Sequence, residues 1–508
     1  MKPSAMLLCD FYKISHREMY PEGMELVYST WTPRASRMKD VNEVVVAGNQ
    51  AFVKEWLIDF FNEHFFKRPK AEVIAEYARI IKYTLGVAEP QTAHIEALHD
   101  LGYLPLLIKA VPEGTVLPLR VPALTIQNTK KEFFWLTNYI ETLASCELWP
   151  VYTGATIARE YRKLLDAAAM RTVGDTTFVQ FQGHDFSMRG MMGLFAAIKT
   201  GMGHLLSFAG TDTIPSILAA EYYYGANVEK ELVGTSIPAS EHSIQCAYGD
   251  DMAYLDNLIS RVHPSGFVSI VSDGYDFWDV IGRVLPALKD KIMARKGGPL
   301  GDKVVIRPDS GDPVKIVCGD PDAPKGSLEY KGAVEALWDI FGGTVTQKGF
   351  KLLDSHIGLI YGDAITLRRA EEIVNRLAEK GFASINVVFG IGSYTYQYNT
   401  RDTFGFALKS TLCVIDGEEK QIFKDPKTDD GVKKSQKGKV IVYRDPVDGV
   451  IKFKDGLGLD ESRYMRVKDV NGKYFNSDLD ILEPIFENGK LLKEETFERI
   501  RYRIRHGI

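Results

Sequence analysis

The residues best suited to chemistry in this chain stand in short polar clusters, each directly after a short apolar run. Arg307 and Asp309 lie in RPDSGDP after the run VVI, and Gly362 and Asp363 follow the run GLIY. A guanidinium forks onto anionic or carbonyl oxygens, and a carboxylate accepts from sugar hydroxyls or binds Mg²⁺. An aspartate in such a place can also do no more than cap the following turn. Both interpretations stay open for each cluster taken alone.

Further clusters supply an aromatic ring, a histidine and glycine-rich backbone. HDFSMR offers Phe186 for stacking on a flat ring and Arg189 as a cation, and GTD adds the carboxylate of Asp212. His242 in SEH suits acid, base or nucleophilic chemistry, although a lone histidine is more often structural. The Gly392–Ser393 pair in FGIGS presents backbone N–H groups of the kind that bind phosphate.

These clusters belong to one recurring pattern, in which a short strand ends in polar residues and a helix-like stretch follows. The pattern occurs at Phe178–Gly190, Ser207–Thr213, Glu231–Ser243, Phe267–Asp276, Lys303–Pro313, Gly358–Ile365 and Ile385–Ser393. Strands alternating with helices predict parallel βα units. Polar residues just past the carboxyl ends of parallel strands are where a (β/α) barrel holds its active site. We therefore predict an α/β fold containing an irregular (β/α) barrel with one pocket.

The sequence on either side of the barrel pattern predicts a different arrangement of helices and strands. Helix-period segments dominate the first part of the chain, apart from a strand-rich patch at Leu104–Thr129, and short strands with turns dominate the last part. We predict a barrel domain over residues 177–394. Residues 1–176 and 395–508 are predicted to form one flanking α/β domain, with two separate flanking domains as the alternative.

Composition narrows the classes of partner and compartment. The 508-residue chain has a formal net charge of −5, so no global basic field favours nucleic acid or an anionic membrane. Its five cysteines are scattered without CxxC spacing, which disfavours a disulfide framework and a zinc site. No stretch has the length and apolarity of a signal peptide core or a membrane span. We expect a cytoplasmic protein.

Taken together, the clusters resemble the nicotinamide phosphoribosyltransferases of the type II phosphoribosyltransferase family. The combination of IRPDSG, PASEHS and HDFSMRG is specific, and DFYKISH, GTDT, GDAI, TRD and FKDP stand with it in the family's order. The resemblance implies a homodimer with active sites shared between subunits. It also implies transfer of a ribose phosphate from phosphoribosyl pyrophosphate to nicotinamide in NAD salvage, with Mg²⁺ and ATP as cofactors.

The resemblance assigns a role to each candidate residue. Phe186 and Tyr12 of the partner subunit sandwich the pyridine ring, with Asp212 at the carboxamide nitrogen and Arg307 at its oxygen. His242 matches the histidine that ATP phosphorylates, and it is predicted to be catalytic together with Arg307 and Asp309. The ribose is assigned to Asp309, Gly362 and Asp363. The 5′-phosphate is assigned to Gly392 and Ser393 with Arg401 and Lys409 of the partner subunit, and the pyrophosphate to Arg34, Arg189, Lys424 and Lys433.

Asp212 argues against the nearest alternative function, that of a nicotinate phosphoribosyltransferase, which performs the same reaction on the acid. Two carboxylates facing each other at a desolvated site are unfavourable by roughly several kcal/mol, which favours the amide. A second alternative is a barrel hydrolase or glycosidase that uses two of the carboxylates, but it gives no role to the cations of the flanking regions. A third is a non-catalytic binding protein, which gives no role to the full set of candidate catalytic residues.

Overall fold

The computed structural model describes residues 3–424, 434–460, 467–468, 474–475 and 479–507. Contacts divide the chain into two units, which we call unit 1 and unit 2. Unit 1 comprises Met1–Thr156, Ala220–Ala226 and Asn399–Ile508, and unit 2 comprises Ile157–Ala219 and Asn227–Tyr398. Within the described ranges, no helix is long and apolar enough to cross a membrane.

Unit 2 is built on a six-stranded sheet in which every neighbouring pair of strands runs parallel. In spatial order the strands are Gly210–Thr211, Gly183–Asp185, Val387–Ile391, Ile357–Tyr361, Lys303–Arg307 and Phe267–Val271. One segment reaches both edges of this sheet, because Thr235 bridges to Gly210 and Ala239 bridges to Ser269. The sheet is therefore strongly curved and closes irregularly, which confirms the predicted α/β fold class.

Buried aliphatic runs form the longer strands of this sheet. Lys303–Arg307 has the sequence KVVIR, and its Val304 and Ile306 side chains are fully buried. Runs of this kind are typical of parallel strands that are covered on both faces. The strands predicted from the runs before RPDSG, GDAI, GIGS and SDGYD are all confirmed.

Two of the predicted strands are wrong. The run FVQFQ forms a helical turn, Val179–Gln182, so that only Gly183–Asp185 is a strand. The Gln182 amide donates to Ser384 O at 2.8 Å and Val387 O at 3.1 Å, so a side chain makes the bonds that a strand backbone would make. The run at Glu231–Ser243 makes only isolated bridges, because Pro238 has no N–H to continue a ladder.

Helices and short 3₁₀ or π turns connect the strands of unit 2 and cover the sheet. The α-helices are Val179–Gln182, Leu194–Leu205, Ile214–Tyr224, His242–Tyr248, Asp251–Asn257, Phe277–Asp279, Leu285–Met293, Pro313–Cys318, Leu328–Lys331, Ala333–Phe341, Leu367–Glu379 and Ser393–Gln397. The 3₁₀ and π segments are Met188–Gly190, Leu258–Val262, Val280–Val284 and Ser384–Asn386, and a hairpin joins Gly343–Val345 to Lys351–Leu353.

Unit 1 contains a seven-stranded antiparallel sheet and a large apolar core. In spatial order the strands are Glu418–Gln421, Ala407–Ile415, Met24–Thr32, Leu124–Asn128, Leu106–Ala110, Glu483–Glu487 and Lys490–Leu491. Three smaller pairs are Glu43–Val45 with Val116–Pro118, Lys439–Arg444 with Ile451–Leu457, and Val467–Lys468 with Tyr474–Phe475. The three strands from the N-terminal part of the chain form the centre of this sheet. Strands from the C-terminal part flank them on both sides, because Ala407–Ile415 pairs with Met24–Thr32 and Glu483–Glu487 pairs with Leu106–Ala110.

The remaining helical segments precede, separate or follow the strands of this sheet in the sequence. The α-helices are His16–Met19, Asn49–Phe52, Lys70–Leu85, Ala93–Leu101, Leu136–Tyr139, Glu141–Thr172 and Phe497–His506. The 3₁₀ and π segments are Ala5–Leu7, Phe11–Lys13, Val53–Phe60, Asn62–Phe66, Lys131–Phe133 and Arg401–Thr403. The helix Lys70–Leu85 buries Val73, Tyr77 and Ile81 at intervals of four residues, so one apolar stripe attaches it to the core.

Candidate active site

One pocket at the carboxyl ends of the parallel strands collects many of the predicted site residues. It encloses about 290 Å³. Its lining includes Phe186, Arg189, Arg307, Asp309, Gly362, Asp363, Gly392 and Ser393. Each of these residues lies at a strand end or soon after one, and parallel strands bring all such ends to the same edge of the sheet.

Arg307, the last residue of its strand, is fixed from two sides. Its Nη2 donates to Ser240 O at 2.7 Å, and its Nη1 lies 3.3 Å from Asp309 Oδ2. Ser240 is itself held, because its hydroxyl oxygen accepts from the Tyr254 hydroxyl at 2.5 Å and from Val271 N–H at 3.0 Å. Arg307 Nε is buried and has no hydrogen-bond partner in the described part of the chain. The guanidinium is thus held in place, and its Nε–H is a donor that no described residue uses.

Asp309 lines the pocket and has one carboxylate oxygen that is not paired within the described ranges. Its Oδ1 is buried without a hydrogen-bond partner among the residues that the structure describes. Burial raises the pKa of Asp309 above its ordinary value, although the charge of Arg307 opposes that change. A carboxylate oxygen with open lone pairs suits a ligand hydroxyl or a hard cation.

Asp273 links His242 to the loop that carries Asp309. Its Oδ1 lies 2.9 Å from His242 Nε2, and its Oδ2 accepts from Asp309 N–H at 2.7 Å and from the Ser310 hydroxyl at 2.6 Å. Burial raises the pKa of Asp273, but these hydrogen bonds outweigh it and bring the pKa below its ordinary value. Since a carboxylate can only accept, Nε2 of His242 is the donor in this contact, and in the neutral imidazole Nδ1 then carries the lone pair.

No role for Asp273 follows from its local sequence. Its motif VSDGYD was among the strand-end clusters, so the position was visible, but nothing local distinguished it from any aspartate in a turn. Its importance comes from three hydrogen bonds to residues at least 31 positions away in sequence.

Glycines leave space for the Phe186 ring and for Asp309. A Cβ atom added at Gly390 would lie 2.5 Å from Phe186 Cδ2, and one added at Gly362 would lie 2.5 Å from Asp309 Oδ1. Neither distance is compatible with ordinary packing. Phe186 N–H donates to Ile391 O at 3.0 Å, which anchors the ring at the start of its loop. Gly390 is a further residue whose role only the packing reveals.

A second cavity, of about 520 Å³, shares Phe186 and Arg189 with the pocket and adds Asp212. The Asp212 side chain is about half exposed, at 47%. Its Oδ1 lies 2.8 Å from His184 Nε2 and accepts from the Ser236 hydroxyl at 2.6 Å. The carboxylate therefore faces the cavity beside the Phe186 ring.

Buried Asp185 holds the two loops that carry Phe186 and Asp212. Its Oδ1 accepts from Ser187 N–H at 2.9 Å, and its Oδ2 accepts from the Thr213 hydroxyl at 2.8 Å. Asp212 N–H donates to the Asp185 carbonyl at 3.0 Å. One fully buried residue thus fixes both sides of the cavity, and nothing in the local sequence distinguishes it.

A sequence profile described as the nicotinate phosphoribosyltransferase (NAPRTase) family matches residues 181–469. This protein belongs to the nicotinate phosphoribosyltransferase family. A nicotinamide phosphoribosyltransferase from Acinetobacter baylyi is 49% identical over 503 residues, covering 97% of this chain and 96% of that protein. A second protein of that name, from Mycoplasma pneumoniae, is 35% identical and covers 84% of this chain and 92% of its own. The predicted resemblance is confirmed.

Solved structures agree on the fold of this family member. A nicotinate-nucleotide pyrophosphorylase from Pyrococcus furiosus superposes with a TM-score of 0.57 at 15% identity, over 99% of this chain and 94% of that chain. At so low an identity the match supports the fold alone.

The remaining candidate residues of this family member lie in unit 1. Arg34 and Lys409 line a cavity of about 200 Å³ together with Arg120 and Lys434. Burial lowers the pKa of the Lys409 ammonium, although Glu141, 3.8 Å away, opposes that change. The other predicted cations and the aromatic residue, which are Arg401, Lys424 and Tyr12, are exposed. Lys433 lies outside the described residues.

Proposed function

We propose that this protein is a nicotinamide phosphoribosyltransferase, which forms nicotinamide mononucleotide and pyrophosphate from nicotinamide and phosphoribosyl pyrophosphate in NAD salvage. Both relatives reported above carry that name, at 49% and 35% identity. The structural observation that carries the choice of substrate is Asp212, a carboxylate that faces the cavity beside Phe186. A carboxylate accepts from an amide N–H₂ and repels a carboxylate substrate.

The nicotinamide site follows from the aromatic ring and its polar neighbours. Phe186 offers one face for stacking on the pyridine ring, and Asp212 accepts from the carboxamide nitrogen. Arg307, whose Nε is buried without a described partner, donates to the carboxamide oxygen. Stacking from one side and polar contacts at one edge direct the ring nitrogen toward the sugar.

The reaction needs positioning more than proton transfer. The pyridine nitrogen attacks the anomeric carbon with its own lone pair, so no general base is required. A bond forms between this nitrogen and the carbon, and the bond from the carbon to pyrophosphate oxygen breaks. Holding the two reactants in line lowers the barrier by up to about 7–11 kcal/mol in well-oriented cases.

The sugar and phosphate contacts come from the neighbouring strand ends. Asp309 and Asp363 accept from the ribose hydroxyls, and Gly362 leaves room for that approach. The Gly392–Ser393 backbone donates to the 5′-phosphate. Arg189 neutralises the pyrophosphate; it lines the pocket and has no ion pair with any described residue. By the family resemblance, Arg401 and Lys409 of the partner subunit contribute to the 5′-phosphate site. Arg34, Lys424 and Lys433 are the further cations assigned to the pyrophosphate.

The carboxylates of the pocket fit Mg²⁺ as a partner of the pyrophosphate. In the described ranges, no group of three His, Cys, Asp or Glu side chains is arranged to hold a metal by itself. Asp309 Oδ1 is nevertheless an oxygen ligand without a described hydrogen-bond partner, and magnesium is commonly held by one or two carboxylates plus substrate phosphates. When bound in this way, Mg²⁺ stabilises the negative charge that develops on the leaving group.

His242 is the proposed acceptor of a phosphoryl group from ATP. Its side chain is 48% exposed, and Asp273 holds the proton on Nε2. The open Nδ1 lone pair attacks the γ-phosphorus of ATP, so an N–P bond forms, the bridging P–O bond breaks and ADP leaves. A phosphoryl group adds about −1.5 to −2 charges by analogy with phosphoserine, close to Asp309 through the shared contact with Asp273. We propose that this charge helps organise Mg²⁺ and the pyrophosphate.

We further propose a homodimer in which unit 1 of each subunit completes the site of the other. Tyr12 is 56% exposed and its neighbour Phe11 is 50% exposed, although both are aromatic. Met188, Met192 and Leu194 are exposed apolar residues at or beside the Phe186 cavity. Exposed apolar groups around a functional cavity are typical of an interaction surface. In the dimer, Tyr12 of the partner subunit stacks on the second face of nicotinamide.

A cytoplasmic location fits the state of the cysteines. All five lie in described parts of the chain, and none forms a disulfide. Unpaired thiols are typical of proteins from reducing compartments.

Product analysis tests the proposed function directly. The protein is incubated with phosphoribosyl pyrophosphate and Mg²⁺ together with either nicotinamide or nicotinate, each with and without ATP. We expect nicotinamide mononucleotide as the main product and a higher rate with ATP. Preferred conversion of nicotinate would identify the acid-specific enzyme instead, and hydrolysis without a pyridine acceptor would contradict both assignments.

A further inference from the structure

The Asp212 carboxylate is held by two donors at the same oxygen. His184 Nε2 lies 2.8 Å from Asp212 Oδ1, and the Ser236 hydroxyl donates to that oxygen at 2.6 Å. Within the described ranges, no hydrogen bond reaches the other oxygen, Oδ2. One oxygen is thus saturated and the other is left for a ligand.

Each donor is fixed by its own surroundings. His184 belongs to the strand Gly183–Asp185, is 8% exposed, and has its ring centroid 4.7 Å from that of Phe186. Ser236 follows Thr235, whose N–H donates to Ala209 O at 2.7 Å and whose carbonyl accepts from Thr211 N–H at 2.9 Å. The two donors therefore approach Asp212 from separate parts of the sheet and restrict its rotation.

We propose that His184 and Ser236 are positioning residues that make Asp212 select an amide over an acid. The inference rests on the proposed function and specifies how that site chooses its substrate. With Oδ1 saturated, only Oδ2 is open beside the Phe186 ring, and it accepts one N–H of a carboxamide. A substrate carboxylate offers no hydrogen there and meets a negative charge.

The charge state of Asp212 supports this role. Burial raises the pKa of Asp212, but the hydrogen bond and charge of His184, the Ser236 hydroxyl and the charge of Arg307 outweigh it, so the net pKa lies below its ordinary value. Without the two donors, only the charge of Arg307 would oppose the effect of burial, so the pKa of Asp212 would rise. Removing them would also let the carboxylate rotate, so that it would no longer present one fixed acceptor oxygen to the carboxamide.

Four single variants test the inference in matched pairs. Ser236→Ala removes one donor, and Ser236→Thr keeps the hydroxyl. His184→Leu removes the other donor, and His184→Gln places an amide N–H near the position of Nε2. The readout is the ratio of kcat/KM for nicotinamide to kcat/KM for nicotinate. A merely structural role would lower both values together and leave this ratio unchanged.

We expect the ratio to fall by about tenfold or more in Ser236→Ala and in His184→Leu, which equals about 1.4 kcal/mol. Ser236→Thr and His184→Gln should recover most of the ratio. If the wild-type enzyme converts nicotinamide but the ratios are unchanged in Ser236→Ala and His184→Leu, the inference is wrong and the proposed function stands. A wild-type protein without nicotinamide-dependent activity overturns the proposed function as well. Because Ser236 is exposed, its variants are expected to fold even if His184→Leu does not.

Discussion

Replacing Gly362 by alanine tests whether the close approach of Asp309 matters for catalysis. The new Cβ would lie 2.5 Å from Asp309 Oδ1, whereas ordinary contacts begin at 3.4 Å. The carboxylate oxygen must therefore move away by about 0.9 Å to reach an ordinary contact distance. Phe186 Cε2 would be 3.6 Å from the same Cβ, which is an ordinary contact. The substitution thus displaces the proposed ribose ligand and spares the aromatic ring.

A misplacement of about 1 Å at a reacting centre can reduce the rate by about 100-fold, equivalent to about 2.7 kcal/mol. We therefore expect Gly362→Ala to lower kcat/KM for phosphoribosyl pyrophosphate by about 100-fold. KM for nicotinamide should change little, because the Phe186 stacking face is kept. The assay is initial-rate formation of nicotinamide mononucleotide with each substrate varied in turn, and a thermal melt verifies that the variant is folded.

A double-mutant cycle separates this cause from a general disturbance of the loop. In an Asp309→Ala background the colliding oxygen is absent, so adding Gly362→Ala should reduce kcat/KM no further. The reasoning would be refuted if the effects of the two substitutions on kcat/KM were fully additive in free energy. It would also be refuted if kcat/KM of Gly362→Ala were within about twofold of wild type.

Three other predictions concern ATP coupling, pH and assembly. His242→Ala should lower the rate measured with ATP to the rate measured without it; a retained ATP response would reject the phosphoryl acceptor. Burial lowers the pKa of His94 to about 4, so between pH 6.5 and 4 the unfolded chain binds a proton that the folded chain excludes. The free energy of unfolding should fall by up to about 3 kcal/mol over that acid range, and His94→Phe should remove this component in denaturant titrations at each pH. Mixing subunits that carry Tyr12→Ala with subunits that carry Asp309→Ala should restore activity if sites are shared, whereas separately complete sites predict no recovery.

The sequence alone was sufficient to predict which edge of the parallel sheet carries the pocket. Arg307, Gly362 and Gly392 each follow a strong apolar run, and such runs form parallel strands whose carboxyl ends share one edge. The polar residues after those runs had to meet, whatever the details of packing. The same logic failed at Val179–Gln182, where buried Gln182 replaces backbone pairing with a side-chain amide and no local pattern signals it.

Residue types and chain order by themselves determined the α/β class, the edge of the sheet that carries the pocket and most of the groups that line it. Only the tertiary structure decided how those groups are held: Asp273 joining His242 to the Asp309 loop, Asp185 fixing two loops, and His184 with Ser236 saturating one oxygen of Asp212. The physical reason is the range of the interactions. Strand formation depends on neighbours along the chain, whereas these hydrogen bonds join side chains brought together by the curvature of the sheet.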